Sequence, residues 1–472
     1  MSNLEQGASS RKQVVIVGGG LAGLAAAVGL AERGLSVELI EAKQSLGGRA
    51  GSYRDAESGE LVDHCQHVAM GGCTNFLHLC ERAGCSDLLE RHQRLHFFSA
   101  DGQRSDFAAS RWLPAPLHLM PTLLAMKHLN GRDKWCIGRA MMALMRTTTA
   151  QANIQAWLTQ QRQTPAAIER FWKVVLVSAL ADSLEHISYA AARKVFVDGF
   201  LGNRSAADVL IPHVSLGELY DQRMARWLRD HGVKVTCGEP VKQISQDSPI
   251  RLVVRTATLE LRADAVILAV PWQYVRDLLA PELLAALPQL AHLDELSSSP
   301  ISSVHLWTDR PIMNLPHAVL IERLSQWIFA RKNSASANEF NYQVVISGTH
   351  ALSGQPKQTV IDEVWRDLQA VFPDAREARL VRAKLITQRD AVFRETFDQN
   401  VRLQLARPSA VRQLIFAGDW LNDGWYATME GAVRSGHRAA EQVLQQLRFK
   451  PTPRILQPDL PRGWLARLLM RS

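Results

Sequence analysis

Four residues near the start of the chain have the types and spacing to hold a dinucleotide. Gly18, Gly20 and Gly23 lie in Gly18-Gly19-Gly20-Leu21-Ala22-Gly23, and Glu41 follows 23 residues after Gly18. The first glycine permits a tight turn, the second lets the backbone approach a pyrophosphate, and the third allows close helix packing. Leu21, Ala22 and Ala42 are grouped with them as cofactor contacts. Glu41 stands where an acid binds a ribose hydroxyl, which argues against a 2′-phosphate there.

These residues need a strand, a turn, a helix and a second strand to hold them. Val14 to Val17 is a β-branched run suited to a buried parallel strand. Leu24 to Arg33 is rich in Ala and Leu and predicts a helix, ended by Gly34; Ser36 to Ile40 predicts the next strand. The free amides and dipole at the helix start favour the phosphates.

The 472 residues suggest about three folding units, or two with insertions. Hydrophobic residues at 47% and charged residues at 21% are near the globular average, against disorder, collagen-like repeats or coiled coil. No run of about 20 apolar residues predicts a membrane-spanning helix. Met1 to Gln13 is polar and unlike a secretory signal. The six cysteines show no C-x-x-C pair, so neither a metal site nor a dithiol centre is expected, and a reduced, cytoplasmic protein is the simplest reading. The net charge of +8 is spread along the chain without a nucleic-acid module, so nucleic acid is not an expected partner.

Two further motifs carry a resemblance. Gly47-Gly48-Arg49-Ala50-Gly51-Ser52 resembles the GG-R-x-x-S element of the flavin amine oxidase and phytoene desaturase superfamily. Ile415 to Trp420, followed by Ala427-Thr428-Met429-Glu430-Gly431-Ala432-Val433-Arg434-Ser435-Gly436, resembles its C-terminal motif. The resemblance implies FAD. Gly48 would let the chain approach the cofactor, Arg49 would contact its phosphates, Asp419 its ribityl chain with Gly418 also at the cofactor, and the amides near Met429 would face its ring. Val241, in Pro240-Val241-Lys242-Gln243-Ile244, would touch the adenosine. The strand-like Ala263 to Trp272 also fits this superfamily.

Within the superfamily, Val62-Asp63-His64-Cys65-Gln66-His67-Val68 is similar to an element of the squalene-associated branch, the hydroxysqualene dehydroxylases. Phe171-Trp172, Val197 to Phe200 and Leu216 to Leu219 are similar too. Departures are His64 for Asn, Cys65 for Gly, and Asp423-Gly424-Trp425-Tyr426 for Thr-Gly-x-Pro. The branch implies reductive removal of an allylic hydroxyl from hydroxysqualene, yielding squalene for hopanoid or triterpenoid synthesis, with an unidentified electron donor. Hydroxide leaves poorly without a proton, so His67 is the first candidate acid, followed by Asp63, His64 and Tyr426. A carotenoid desaturase, an amine oxidase and a non-catalytic FAD-bound subunit stand as alternatives.

The implied fold is α/β (α+β). A Rossmann-type FAD-binding domain is expected from 13–105, 233–275 and 405–447, with a mixed-sheet and helical substrate domain from 106–232 and 276–404. Residues 1–12 are expected to be flexible. From 106 to 230 the pattern is mainly helical, a core or a greasy tunnel or cap. Strands are expected at Ile301 to Trp307, His317 to Glu322, Trp327 to Arg331 and Tyr342 to Ser347, and a helix at Lys357 to Phe372. The tail, 448–472, is Pro-rich and then mixes Trp464, Leu465, Leu468 and Leu469 with three arginines: either a peripheral membrane anchor or a packed helix.

Overall fold

Gln13–Val17 is buried almost throughout, as a strand covered on both faces must be. It pairs in parallel with Ser36–Glu41 on one side and with Ala265–Leu268 on the other. Lys234–Cys237 and Leu414–Phe416 complete a five-stranded parallel sheet. A computed structural model describes residues 11–56, 58–148, 153–331, 339–394, 410–421, 424–450 and 454–470. The parallel sheet thus draws its strands from distant parts of the chain, as expected for the FAD-binding fold.

The helices Leu21–Ala31 and Met429–Gln446 cross on one face of this sheet. A Cβ at Gly436 would stand 2.1 Å from the Ala22 carbonyl oxygen, so only glycine allows that approach. Leu24, Leu30, Phe76, Tyr220 and Val443 close the core around the crossing.

A seven-stranded mixed sheet forms the second layer system. Ser298–Thr308 pairs antiparallel with Phe340–Ser347 and with Leu380–Phe393, and Trp327–Arg331, His317–Leu320, Arg94–Phe98 and Arg104–Ala108 follow outward. The helix Lys357–Val371 covers it with Val360, Ile361, Val364 and Leu368, the face expected from their spacing. Arg94–Phe98 and Arg104–Ala108, at the end of the first stretch expected in the cofactor domain, pair within this second sheet.

A helical layer with its own core packs on the second sheet. It includes Gly131–Arg146, Ile154–Gln160, Lys173–Leu180 and Tyr189–Phe196 around Trp157, Trp172, Tyr189 and Phe196. Asn130 and Asp133 form a capping box at the start of Gly131–Arg146. Ile168–Trp172 and Val197–Leu201 are π-helical segments. Such wider turns are common at functional sites, and both send side chains into the cavity described below.

The tail packs on the body. Ile455 lies against Gly29 and Ala440. Gly463 donates to the Gly202 carbonyl at 2.9 Å. Trp464–Leu469 is a short helix whose Ala466, with the neighbouring Met470, is buried against the helical layer, while Trp464 and Leu468 stand exposed. The expectations for residues 1–10, 405–409, Asp423, Pro451, Pro453 and Arg471 lie outside the described residues.

Candidate active site

The glycine turn is built from two kinds of constraint. Gly18 has φ +107°, and a Cβ there would stand 2.4 Å from the Ala269 oxygen. A Cβ at Gly23 would stand 1.9 Å from the Gly18 oxygen. Gly20 differs: a Cβ there meets no protein atom within 4 Å. The space beside it belongs to the cavity, where a bound group can approach the backbone.

Glu41 ends its strand with a buried carboxylate that accepts from the Gly19 amide at 2.6 Å and the Lys43 amide at 2.8 Å. The second glycine turn packs directly on the first. Gly47 donates to the Gly19 carbonyl at 2.9 Å, and a Cβ at Gly48, with φ +60°, would stand 3.1 Å from the Gly20 Cα. Arg49 pairs with the buried Asp419 and also donates to the Ala391 carbonyl at 3.2 Å. This contact joins the two motifs, 370 residues apart. Trp420 anchors the turn by donating to the Val270 carbonyl at 3.1 Å.

Met429 opens an 18-residue helix capped by Thr428, whose hydroxyl accepts from the Gly431 amide at 3.1 Å. Glu430, the next residue, is fully buried. It accepts from the Asn75 and Phe76 amides at 3.1 and 2.8 Å, tying this helix to the start of Thr74–Arg82. Burial pushes its carboxyl above the usual range despite these donors.

One cavity of about 1330 Å³ joins these pieces. Its wall includes Gly18, Gly20, Leu21, Ala22, Glu41, Ala42, Gly48, Arg49, Val241, Gly418, Asp419 and Met429. Of the residues expected to touch the cofactor, only Gly23 is absent from the wall, because it packs against Gly18. A carboxylate at one end, open backbone at Gly20 and an arginine beside the second turn fit a dinucleotide. The cavity continues past Phe97, Phe107, Met145, Phe171 and Phe200 to Met120, Leu124 and Trp135.

The four proton-bearing candidates separate. His67 and Tyr426 line the cavity; Asp63 and His64 do not. Asp63 is buried in the joint between layers. Its Oδ1 accepts from Ser52 at 2.5 Å and from the Leu216 amide at 2.9 Å. Its Oδ2 pairs with Arg331 at 2.9 Å, and its carbonyl contacts His305 Nε2 at 3.0 Å. Three surrounding groups hold the carboxylate, and the His305 ring holds the main-chain carbonyl. His64 stacks on Tyr53 with ring centroids 5.4 Å apart, outside the cavity wall.

His67 Nδ1 lies 3.0 Å from the Cys65 carbonyl. A carbonyl only accepts, so Nδ1 carries the proton and Nε2 is the free-lone-pair nitrogen in the neutral ring. Burial pushes the imidazole below its ordinary 6.5, outweighing the help from that bond and from Asp63. Gln66 also lines the cavity and accepts from Arg331 at 2.6 Å. Cys65 is no nucleophile at neutral pH, since burial pushes its thiol up to about 12.

Sequence reading missed three contributors. Gln388 donates to the Arg49 carbonyl at 3.2 Å, and Ala391 receives the Arg49 guanidinium. Both come from Leu380–Phe393, whose charged, weakly alternating sequence carries no motif. Lys194 lines the cavity near Trp425 and pairs with Asp198 at 3.1 Å. Among the described residues no group of three or more His, Cys, Asp or Glu is placed to hold a metal.

Fold and cavity together define a flavoprotein with a dinucleotide site beside an apolar chamber. The chain belongs to the flavin containing amine oxidoreductase family, which it matches over residues 21–444, and its cofactor is FAD. It is 25% identical to the 15-cis-phytoene desaturase of Arabidopsis thaliana over 459 residues, covering 92% of this chain and 80% of that one. It is also 25% identical to the hydroxysqualene dehydroxylase of Zymomonas mobilis over 442 residues, covering 91% and 98%. Putrescine oxidase has the same fold, with TM-score 0.65, 18% identity and coverage of 92% and 99%. Cyclohexylamine oxidase from Brevibacterium oxydans gives TM-score 0.66, 18% identity and coverage of 93% and 100%. Among the described residues no helix is long and apolar enough to cross a membrane.

Proposed function

We propose that this FAD-dependent oxidoreductase removes the hydroxyl of hydroxysqualene reductively, giving squalene. The observation that carries the reading is the cavity itself, whose dinucleotide end continues into a long apolar chamber. A substrate without charge gains most of its binding there, at about 25 cal/mol per Å² buried. FAD, once bound along the cavity wall, would supply the hydride chemistry.

The chain's own groups must orient the isoprenoid, exclude water and move one proton. The loop holding His67 touches both halves of the cavity. Val68 and Met70 pack with Leu95, Phe97 and Phe329, while Arg49 is close enough to act on the His67 charge. An allylic alcohol ionises to a delocalised cation once its hydroxyl is protonated, and His67 is the nearest fit for that donor. Its lowered basicity makes the protonated form a minority at neutral pH, so the proposed turnover quickens as pH falls below 6.5.

The same lowered basicity also suits a second reading, desaturation of a polyene, in which neutral His67 accepts a proton through Nε2. The equal similarity to a phytoene desaturase supports keeping it. One experiment separates the two. Chemically reduced protein is mixed with hydroxysqualene, oxidised protein with phytoene, and the lipids are analysed after a single turnover. Squalene formed in step with flavin reoxidation, slowed about 10²–10⁴-fold in His67→Ala with FAD retained, is the expected result. Intact hydroxysqualene with a desaturated polyene, at a rate that falls as pH falls, assigns the second reading instead.

A further inference from the structure

The large exposed apolar side chains are not scattered. Among the described residues all but four lie in two segments, 112–142 and 464–469. Trp112 is 91% exposed, and Trp135, Leu124, Trp464 and Leu468 are each more than half exposed. A folded chain does not keep side chains of this size together in water without a reason.

The two segments are neighbours. Arg204 donates to the Leu113 carbonyl at 2.8 Å, while Gly463, just before the tail helix, bonds to Gly202 at 2.9 Å and lies against Ala115. Ala466 and Met470 share one buried cluster with Ala115 and Leu119. The apolar side chains therefore project from a single packed base. Met120, Leu124 and Trp135 are both exposed and part of the cavity wall. The patch is the rim of the cavity mouth.

The rim is also basic. Residues 111–146 include Arg111, Lys127, Arg132, Lys134, Arg139 and Arg146 against one acid, Asp133, which is buried in its capping box. The Arg139 guanidinium lies over the Trp135 ring, 5.2 Å from its centroid. Aromatic rings with flanking cations are the side chains that settle at a lipid headgroup layer. A second copy fits less well, because a two-fold contact would set this positive face against itself.

We propose that the rim of the cavity mouth, from 112–142 and 464–469, docks on an anionic lipid surface and opens the apolar chamber directly to the bilayer. This deepens the function proposed above and rests on it for the identity of what enters, but not for the docking. Each buried ring and methylene contributes hydrophobic energy, and each nearby Lys or Arg adds attraction to anionic lipid.

The test is co-sedimentation of the FAD-loaded protein with vesicles of phosphatidylglycerol and phosphatidylcholine, and with phosphatidylcholine alone. The wild type is expected in the pellet with the anionic vesicles, less so at high salt, and weakly with phosphatidylcholine alone. The triple variant Trp112→Ser, Trp464→Ser, Leu468→Ser changes residues outside the cavity wall. It should bind the anionic vesicles about tenfold or more weakly while keeping its flavin spectrum and its turnover of substrate delivered in detergent. Ile250→Ser, an exposed apolar site elsewhere, should bind like the wild type. Wild type left in the supernatant, or a triple variant that binds unchanged, overturns the proposal. So does a wild type that dimerises through this face without binding vesicles, while the triple variant is monomeric. Failure of the dehydroxylase reading looks different: vesicle binding persists and hydroxysqualene in detergent stays intact.

Discussion

Asp63 illustrates how a residue of catalytic type is diverted to structure. Its carboxylate holds Ser52, the Leu216 amide and Arg331, and its carbonyl receives His305. His305 is driven down to about 4, chiefly by burial, so it stays neutral and donates from Nε2. Arg331 in turn holds Gln66, the neighbour of His67. A buried guanidinium without its carboxylate is costly, so Asp63→Asn should destabilise the protein by about 3–5 kcal/mol. Arg331→Gln should cost a similar amount, and the double variant less than their sum, since neither charge is then left alone. Urea unfolding of the three variants measures this. Additive losses would mean the pair is not coupled and that Asp63 acts some other way.

At the scale of elements, the two glycines of the first turn make opposite demands. Gly20 is open to the cavity and has an ordinary φ of −74°, so Gly20→Val should fold with a near-normal thermal midpoint yet bind no FAD. Gly23 is closed by the Gly18 oxygen at 1.9 Å, so Gly23→Ala should lose about 1–3 kcal/mol in the apoprotein itself. Flavin absorbance and thermal unfolding read both; a colourless, unstable Gly20→Val would contradict the distinction. This turn was legible in the sequence because its constraints are local: strand, glycines, helix and acid within thirty residues. The C-terminal motif was legible for the same reason, and the Arg49–Asp419 contact that joins it to the start lies where both motifs line one cavity. Leu380–Phe393 was not legible. Its burial is partial on both faces, so the apolar alternation that marks a strand is diluted by Arg382, Lys384, Arg389 and Asp390. Asp63 was misplaced because nothing in its neighbourhood announces Arg331, which arrives from a different sheet.

The molecule as a whole buries neutral histidines in both of its halves. His305 and His317 lie in the seven-stranded sheet, and His437 lies in the helix that crosses Leu21–Ala31. Burial is the leading cause in each, moving His305 and His317 down to about 4 and His437 to about 3. In the unfolded chain each would titrate near 6.5. Between pH 6.5 and 4, therefore, the unfolded state takes up protons that the folded state refuses, and stability must fall as pH falls. Carboxylates add in the same sense. Asp182, held below its usual range by Arg394 although burial opposes it, favours the fold only while it is ionised. The urea midpoint should be flat near neutrality and drop steeply from about pH 6.5 to 4. Each buried histidine contributes on the order of 1–3 kcal/mol to that drop. His317 rests among His92, His96 and Trp327, with ring centroids 5.3, 5.4 and 6.1 Å away, so a phenyl ring suits its surroundings. His317→Phe should leave stability at pH 7.5 close to that of the wild type and make the acid drop shallower, because one proton uptake has been removed from the unfolded side. A variant whose midpoint falls as steeply as the wild type's would show that His317 is protonated in the folded state, and that its burial does not set its charge.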